Sequence, residues 1–290
     1  VSIAYAELYY GSKRIRFDGR EGSGSDGLAI SDEGVEGWYS TPEFKVDLLE
    51  RGGGNGAHDI PVSGIRYASR VVTLHFYALG DERGGVLDAI DRVARSTGLP
   101  VRLRLVDDWS DTFVQGFTRA DFEAGWHADY NTGSLTVECP RPERLGWRLN
   151  RVQLFGARVK PGGLSFGDGG AGLVFPLQFT DGGDDGGVDS IVNAGSFESY
   201  PLISVTGSFS SGILIQHDQG ALEWSGNIGG SPLILDCSPR AHTATMGGVD
   251  VSRNLKRRDF PVIPADGSVS LRVMSAGSGW VTVESRDTYM

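Results

Sequence analysis

Cysteine is nearly absent from this sequence, Cys139 and Cys237 being the two in 290 residues. That is too few for a disulfide framework, and the long gap between them does not suit zinc, so both read as reduced thiols in strands. No stretch approaches the ~20 consecutive apolar residues of a membrane-spanning helix. The opening VSIAYAELYYGSKR lacks the basic-then-apolar pattern of a signal peptide, and the expectation is a soluble chain, intracellular when made. Lysine is scarce, at Lys13, Lys45, Lys160 and Lys256. GC-rich coding alone produces such a bias toward arginine, so nothing functional is read from it. The formal charge of −10 argues against a free nucleic-acid-binding surface, which would draw its affinity from basic groups on phosphates. Motifs that carry chemistry are missing too: there is no H-E-x-x-H, no Walker sequence and no C-x-x-C. The five histidines, His58, His75, His127, His217 and His242, are dispersed, with no pair spaced for a metal. No catalytic residue, cofactor or metal is expected.

What the sequence has in abundance is glycine, 43 residues. These show no three-residue period and gather in runs such as Gly52-Gly53-Gly54, Gly182-Gly183 and Gly229-Gly230, the mark of many turns in a β protein. Strand alternation is clear at Ser2–Tyr10 and at Ile15–Phe17, before a glycine-serine loop, GREGSGSDG, that should be mobile. It resumes at Phe44–Leu48 and again in SRVVTLHFYALG, where Val72, Leu74 and Phe76 share one face and His75 lies on the other. Helical spacing is convincing once, over Gly84–Gly98: Val86, Leu87, Ile90, Val93 and Ala94 recur at three and four residues, and Gly98 with Pro100 ends it. Then VRLRLVDDWSDTFVQG reads as a strand with Val101, Leu103 and Leu105 inward and Arg102 and Arg104 outward, a turn at Asp107-Asp108, and a further strand. SLTVEC closes this half.

Two prolines and a rise in charge over Pro140–Arg144 mark the expected boundary, dividing the chain into 1–147 and 148–290. Beyond it, short strands recur at roughly ten-residue intervals, as in a sandwich or jelly roll: Val152–Val159, Gly172–Phe179, Leu202–Gly207, Gly212–His217, Leu222–Trp224, Pro232–Cys237, Ser268–Met274 and Trp280–Glu284. Several residues invite a chemical reading. The Asp107, Asp108 and Asp111 cluster and the loop TDGGDDGGV resemble calcium loops but lack the twelve-residue ligand pattern, so a turn and a hairpin tip are the better readings. Glu198, Glu223 and Asp236 could serve a jelly-roll glycosidase, although polar strand positions carry carboxylates routinely. Trp224 with His217 and Asn227 could form a lectin-like patch, although a tryptophan beside Leu222 is usually core.

The stretch NAGSFESYPLISVTG, followed by LILDCSPRAHTATMGGVDVSRNL and DFPVIPADGSVSLRV, resembles the C-terminal half of the distal tail protein (Dit) family of long-tailed, non-contractile bacteriophages. Asn193, Gly195, Pro201, Gly207, Asp236, Gly247, Phe260, Pro261, Pro264 and Gly267 hold the places of that pattern. WVTVESRDTYM looks like the family's last strand and tail, and the N-terminal segments follow in the family's order. Pro201, with fixed φ and no N–H, suits the first residue of a strand, and Gly195 and Gly207 suit its turns. Ile203 and Val205 then face one way, Leu202 and Ser204 the other. The resemblance implies a mainly β, non-enzymatic protein with an N-terminal β-barrel or sandwich-like domain carrying one helix and a C-terminal galectin-like β-sandwich. It further implies a ring, hexameric in the family, between the tail tube protein and the tip hub, with receptor-binding proteins beyond and tape measure protein and DNA passing through its bore. Its place would be the virion tail tip, assembled in the host cytoplasm, with no membrane and no sequence-specific nucleic-acid contact. The alternatives are a carbohydrate-binding adsorption module and a glycosidase.

Overall fold

The alternation seen in sequence is realised as strands in a computed structural model that describes residues 3–19, 26–61, 64–123, 125, 129–156 and 187–290. Most of the glycine-serine loop, the strand expected at Gly172–Phe179, nearly all of the acidic glycine loop and His127 lie outside the described residues. By its contacts the chain divides into two compact units, Val1–Arg148 with Thr288–Met290, and Leu149–Asp287. The protein is mainly β, with one α-helix among the described residues. No helix among them is long and apolar enough to cross a membrane.

The first unit contains β1 (Ile3–Tyr10), β2 (Lys13–Asp18), β3 (Leu28–Glu36), β4 (Arg70–Leu79), α1 (Arg83–Ala94), β5 (Pro100–Asp107), β6 (Asp111–Phe122), β7 (Tyr130–Cys139) and β8 (Arg144–Gly146). It also contains the short β20 (Thr288–Tyr289). Strand order runs β20-β8-β6-β5-β1-β2-β3-β4-β7, and β7 pairs back onto β6. Seven strands therefore close into a barrel, which removes the open edges a sheet would expose. The twelve-residue β6 makes closure possible: Thr112 and Phe113 pair with β8, and Phe117–Phe122 pair with β7. Inward positions fill the interior with Ala6, Leu8, Phe17, Leu74, Phe76, Leu103, Leu105 and Leu135, all fully buried. Helix α1 adds Val86, Ala89 and Val93 to the same core.

The helix stops four residues before the expected Gly98. Past Ala94, the buried Ser96 turns its hydroxyl back to the carbonyl of Val93 at 2.7 Å, and Thr118 donates to the carbonyl of Ser96 at 2.5 Å. A competing local hydrogen bond of this kind ends helices that the apolar period would continue. The strand expected at Phe44–Leu48 is reduced to one bridge, Phe44 with Tyr67. Phe44 meets the Tyr67 ring at 5.2 Å, but Phe44 and Leu48 both remain exposed, so no sheet buries the face that alternation suggested.

The second unit is a two-sheet sandwich of β9 (Asn150–Phe155), β10 (Val188–Asn193), β11 (Leu202–Ser208), β12 (Ile213–His217), β13 (Gly220–Trp224), β14 (Leu233–Asp236), β15 (Thr243–Met246), β16 (Val249–Asp250), β17 (Leu255–Arg258), β18 (Gly267–Val273) and β19 (Ser278–Ser285). One sheet is ordered β10-β18-β12-β13-β17 and the other β16-β15-β14-β11-β19-β9. Their inner faces meet over Ile203, Val205, Ile215, Leu235, Val273, Val281 and Val283, each fully buried. The chain leaves the first unit at Arg148 and returns to it at Thr288, where β20 pairs with β8 through Thr288 and Leu145. The last three residues therefore belong with the barrel rather than with the sandwich that a division at 147 and 148 would give them to.

Candidate assembly surface

On the barrel exterior, strand register builds a wall from β2, β1, β5 and β6. Because Leu8 faces inward, its neighbours Glu7 and Tyr9 face outward. Pairing sets Glu7 opposite Arg16 and Arg104, and Tyr9 opposite Arg14 and Arg102. Glu7 is only 3% exposed. Its carboxylate accepts from Arg104 Nη1 at 2.8 Å, Arg14 Nη1 at 3.2 Å and the Tyr9 hydroxyl at 2.7 Å. Arg104 also grips Asp111 with both arms of its fork, Nε to Oδ1 and Nη2 to Oδ2, each at 2.7 Å. The hydrogen bonds that Arg104 donates to Asp111, working against burial, and then those it donates to Glu7 raise the Arg104 pKa above its usual value. Burial, reinforced by Glu7, raises that of Tyr9.

Aromatic rings extend this wall. Trp147 stacks on Tyr9 with centroids 5.4 Å apart and meets Phe113 edge-on at 5.7 Å. Arg104 lies over Trp147 at 4.3 Å, Arg102 over Phe113 at 4.7 Å and Arg16 over Tyr5 at 4.0 Å. Each guanidinium is thus held by a carboxylate, by a ring face or by both, which fixes its position before any partner arrives. Arg14 remains 57% exposed above Glu7.

A different wall forms from β3, β4, β7 and the second half of β6, from Phe117 onward. His75 lies between Glu33, 2.9 Å from Nδ1, and Glu36, 3.6 Å from Nε2; both carboxylates are largely exposed, Glu36 to 71%. The β3–β4 register shifts between Ile30 and Val35, and Gly34 takes φ 71° inside that bulge. Glu138 on β7 is exposed and paired with Val71 on one side and Phe117 on the other, both half-exposed.

The β5–β6 turn carries Trp109, at 87% the most exposed large hydrophobic side chain among the described residues. Asp107 fixes this turn. Its Oδ1 accepts the amides of Trp109 at 2.8 Å and Ser110 at 2.6 Å, and its Oδ2 accepts the hydroxyls of Tyr39 at 2.7 Å and Ser110 at 3.0 Å. Burial alone would raise the Asp107 pKa, but the Tyr39 hydroxyl and the Trp109 and Ser110 donors outweigh it and hold it below the usual value. Nearby, the buried Arg70 donates to the carbonyls of Pro142, Gly37, Trp38 and Ser40 at 2.6 to 3.2 Å, pinning the segments on either side of β4. Burial, helped by the charge of Arg144, pulls its pKa down to about 10. Both cysteines are buried and free, and burial pushes the Cys139 thiol up to about 12.

In the sandwich, some residues of the family pattern meet at one point. The fully buried Asn193 donates to the carbonyls of Phe197 at 2.7 Å and Pro264 at 3.0 Å, and accepts the Gly195 amide at 3.0 Å. The Gly195 carbonyl in turn accepts the Asp266 amide at 2.9 Å. Gly267 approaches the Pro264 ring so closely that a Cβ would lie 2.7 Å from it. Pro201 precedes β11 and accepts the Cys237 amide, while Asp236 caps the following turn through the Ser238 amide. Gly207 has φ 115° and Gly247 φ 57°, the latter in the β15–β16 hairpin. Pro261 is buried, and Phe260 stacks on His242 at 4.5 Å. All of these contacts are internal to the unit.

The lectin-like trio is not brought together. Trp224 is 3% exposed, with Nε1 donating to the carbonyl of Val251 and its ring against Gly226. His217 is buried at the other end of the same hairpin, beside the carbonyl of Asp259, and Asn227 is exposed. Glu198 accepts the Tyr200 hydroxyl and Glu223 pairs with Arg257. The barrel wall escaped sequence reasoning because Glu7 and Arg104 are 97 positions apart. The one signal available was charge on the outward side of β1 and β5.

No family model and no curated protein sequence matches this chain. Solved structures do. One is the Dit protein (gp 19.1) of phage SPP1, described as a paradigm of the hub adsorption apparatus in phages infecting Gram-positive bacteria. The match covers 98% of this chain and 99% of that one at 13% identity, with TM-score 0.61. Another is a chain of the phage P2 baseplate in its activated conformation with Ca, covering 97% of each chain at 8% identity, with TM-score 0.51. The fold of the chain, both units together, is therefore Dit-like.

Proposed function

We propose that this chain is a distal tail protein, a structural component of a phage tail tip whose copies form a ring. The observation that supports this most is the likeness of fold to the SPP1 Dit protein over nearly the whole length of both chains. In this reading the barrel supplies the ring, hexameric as in the family pattern, and the sandwich is a second construction unit. The ring joins the tail tube protein to the tip hub and, beyond it, receptor-binding proteins, and its bore passes tape measure protein and DNA. Its role is scaffold rather than catalysis, and its place is the virion.

The local chemistry supports the same reading. Asn193, Gly195 and the turn before Gly267 are spent on internal hydrogen bonds that fix strand ends. A construction unit needs such fixed ends, because it must present the same surface in every copy. Mass photometry of the purified chain, followed by class averages of the assembled particles, tests the proposal. A closed ring with a central bore is the expected result, and a monomer at every concentration refutes it.

A further inference from the structure

The two barrel walls carry opposite charge on opposite sides. From β1 to β4 around the barrel the route is β2, β3, β4 in one direction and β5, β6, β7, β4 in the other, so the central strands of the two walls, β1 and β4, are about as far apart as closure permits, while the walls adjoin where β2 meets β3 and β6 meets β7. On the first wall the carboxylates of Glu7 and Asp18 are buried and the half-exposed Asp111 is clamped by Arg104, while Arg14 is exposed and Arg16 and Arg102 are partly exposed around them. On the second, Glu33, Glu36 and Glu138 are exposed, with His75 and Arg119 as the basic groups beside them.

We propose that copies of this chain join head to tail, the arginine-aromatic wall of one barrel seating on the carboxylate wall of the next. This rests on the ring reading above and names the surfaces that make the joint. Like walls repel, so a two-fold pairing of identical patches is disfavoured. Unlike walls attract, and a contact between two different patches of the same molecule propagates until rotation closes it. The apolar content matches as well: Val71 and Phe117 flank Glu138 on one side of the joint, and Tyr9 and Trp147 lie among the guanidinium groups on the other. Arginine and aromatic rings favour protein interfaces because a guanidinium sheds its water more readily than an ammonium does and a ring loses little entropy.

The test uses the full chain in mass photometry and sedimentation velocity, with thermal melting to certify each fold. Arg14→Glu with Arg102→Glu makes both walls acidic, and leaves Arg104 and Tyr9 to hold Glu7. Glu36→Arg with Glu138→Arg makes both walls basic. Each double variant alone is expected to lose rings, with self-association weakened by about tenfold or more. An equimolar mixture is expected to recover assembly by alternation. Rings of wild-type mass from either folded variant, or no recovery on mixing, overturn the wall-to-wall joint while leaving the ring itself standing. A wild-type chain that never assembles removes both. Should Arg14→Glu lower the melt through Glu7 beneath it, the basic double variant decides alone: loss of rings supports the joint and their persistence refutes it.

Discussion

At the scale of single residues, this protein places its costliest polar groups where they define geometry. Arg70 is buried, yet its guanidinium binds carbonyls from residues 37 to 40 and from Pro142, so one side chain fixes the segments that leave both neighbours of β4. Asp107 does the same for the turn that presents Trp109. Because the Asp107 carboxyl is held below its ordinary value, the stability it contributes is present above the unfolded value of about 3.9 and is lost as pH falls through the lower folded value. Asp107→Asn is therefore expected to destabilise the protein by about 1–2 kcal/mol at pH 7 and to flatten the decline of stability at acid pH. Urea unfolding at pH 7 and below pH 4 would measure this. An unchanged acid slope would show that the turn does not depend on the charge.

Among the elements, glycine separates positions where the backbone demands it from positions where it is merely tolerated. Gly207 pairs with Gly279 between β11 and β19. A Cβ at Gly207 would lie 2.3 Å from the carbonyl oxygen of Ser278, and its φ of 115° is rarely adopted by other residues. Gly84 in α1 has open space around its Cβ position and no positive φ. Gly207→Ala is expected to destabilise by about 1–3 kcal/mol, whereas Gly84→Ala is expected to stabilise by about 0.5–1 kcal/mol. Chemical denaturation of the two variants side by side checks the contrast, and similar signs would contradict it. Sequence spacing located this helix and most strands because alternation and the 3.6-residue period report burial directly. It overran the end of α1, where Ser96 supplies a competing hydrogen bond, and it overstated Phe44–Leu48, where no second layer covers the alternating face.

For the whole molecule, chain connectivity makes one unit an insertion in the other. The sandwich has its own closed core, so residues 149–287 are expected to fold alone with a cooperative thermal transition. The fragment 1–148 lacks β20 and leaves β8 unpaired on that side, so adding Thr288–Met290 back through a short linker should raise its melting temperature. Calorimetry of the fragments would decide this, and a fragment 149–287 without a cooperative transition would refute it.

By itself the sequence determined the β class, the one helix among the described residues, the buried faces of β4 and β5, and an ordered succession of glycines, prolines and Asn193 that resembles one family. Those features are local, since period, turn chemistry and backbone permission are all written within a few residues. The tertiary structure alone decided that the first sheet closes on itself, that the last residues return to it, and that Glu7 lies beneath Arg14 and Arg104 on one wall while Glu36 and Glu138 stand on another. These depend on register between strands distant in the chain, and register follows from which faces must be buried together rather than from any single segment.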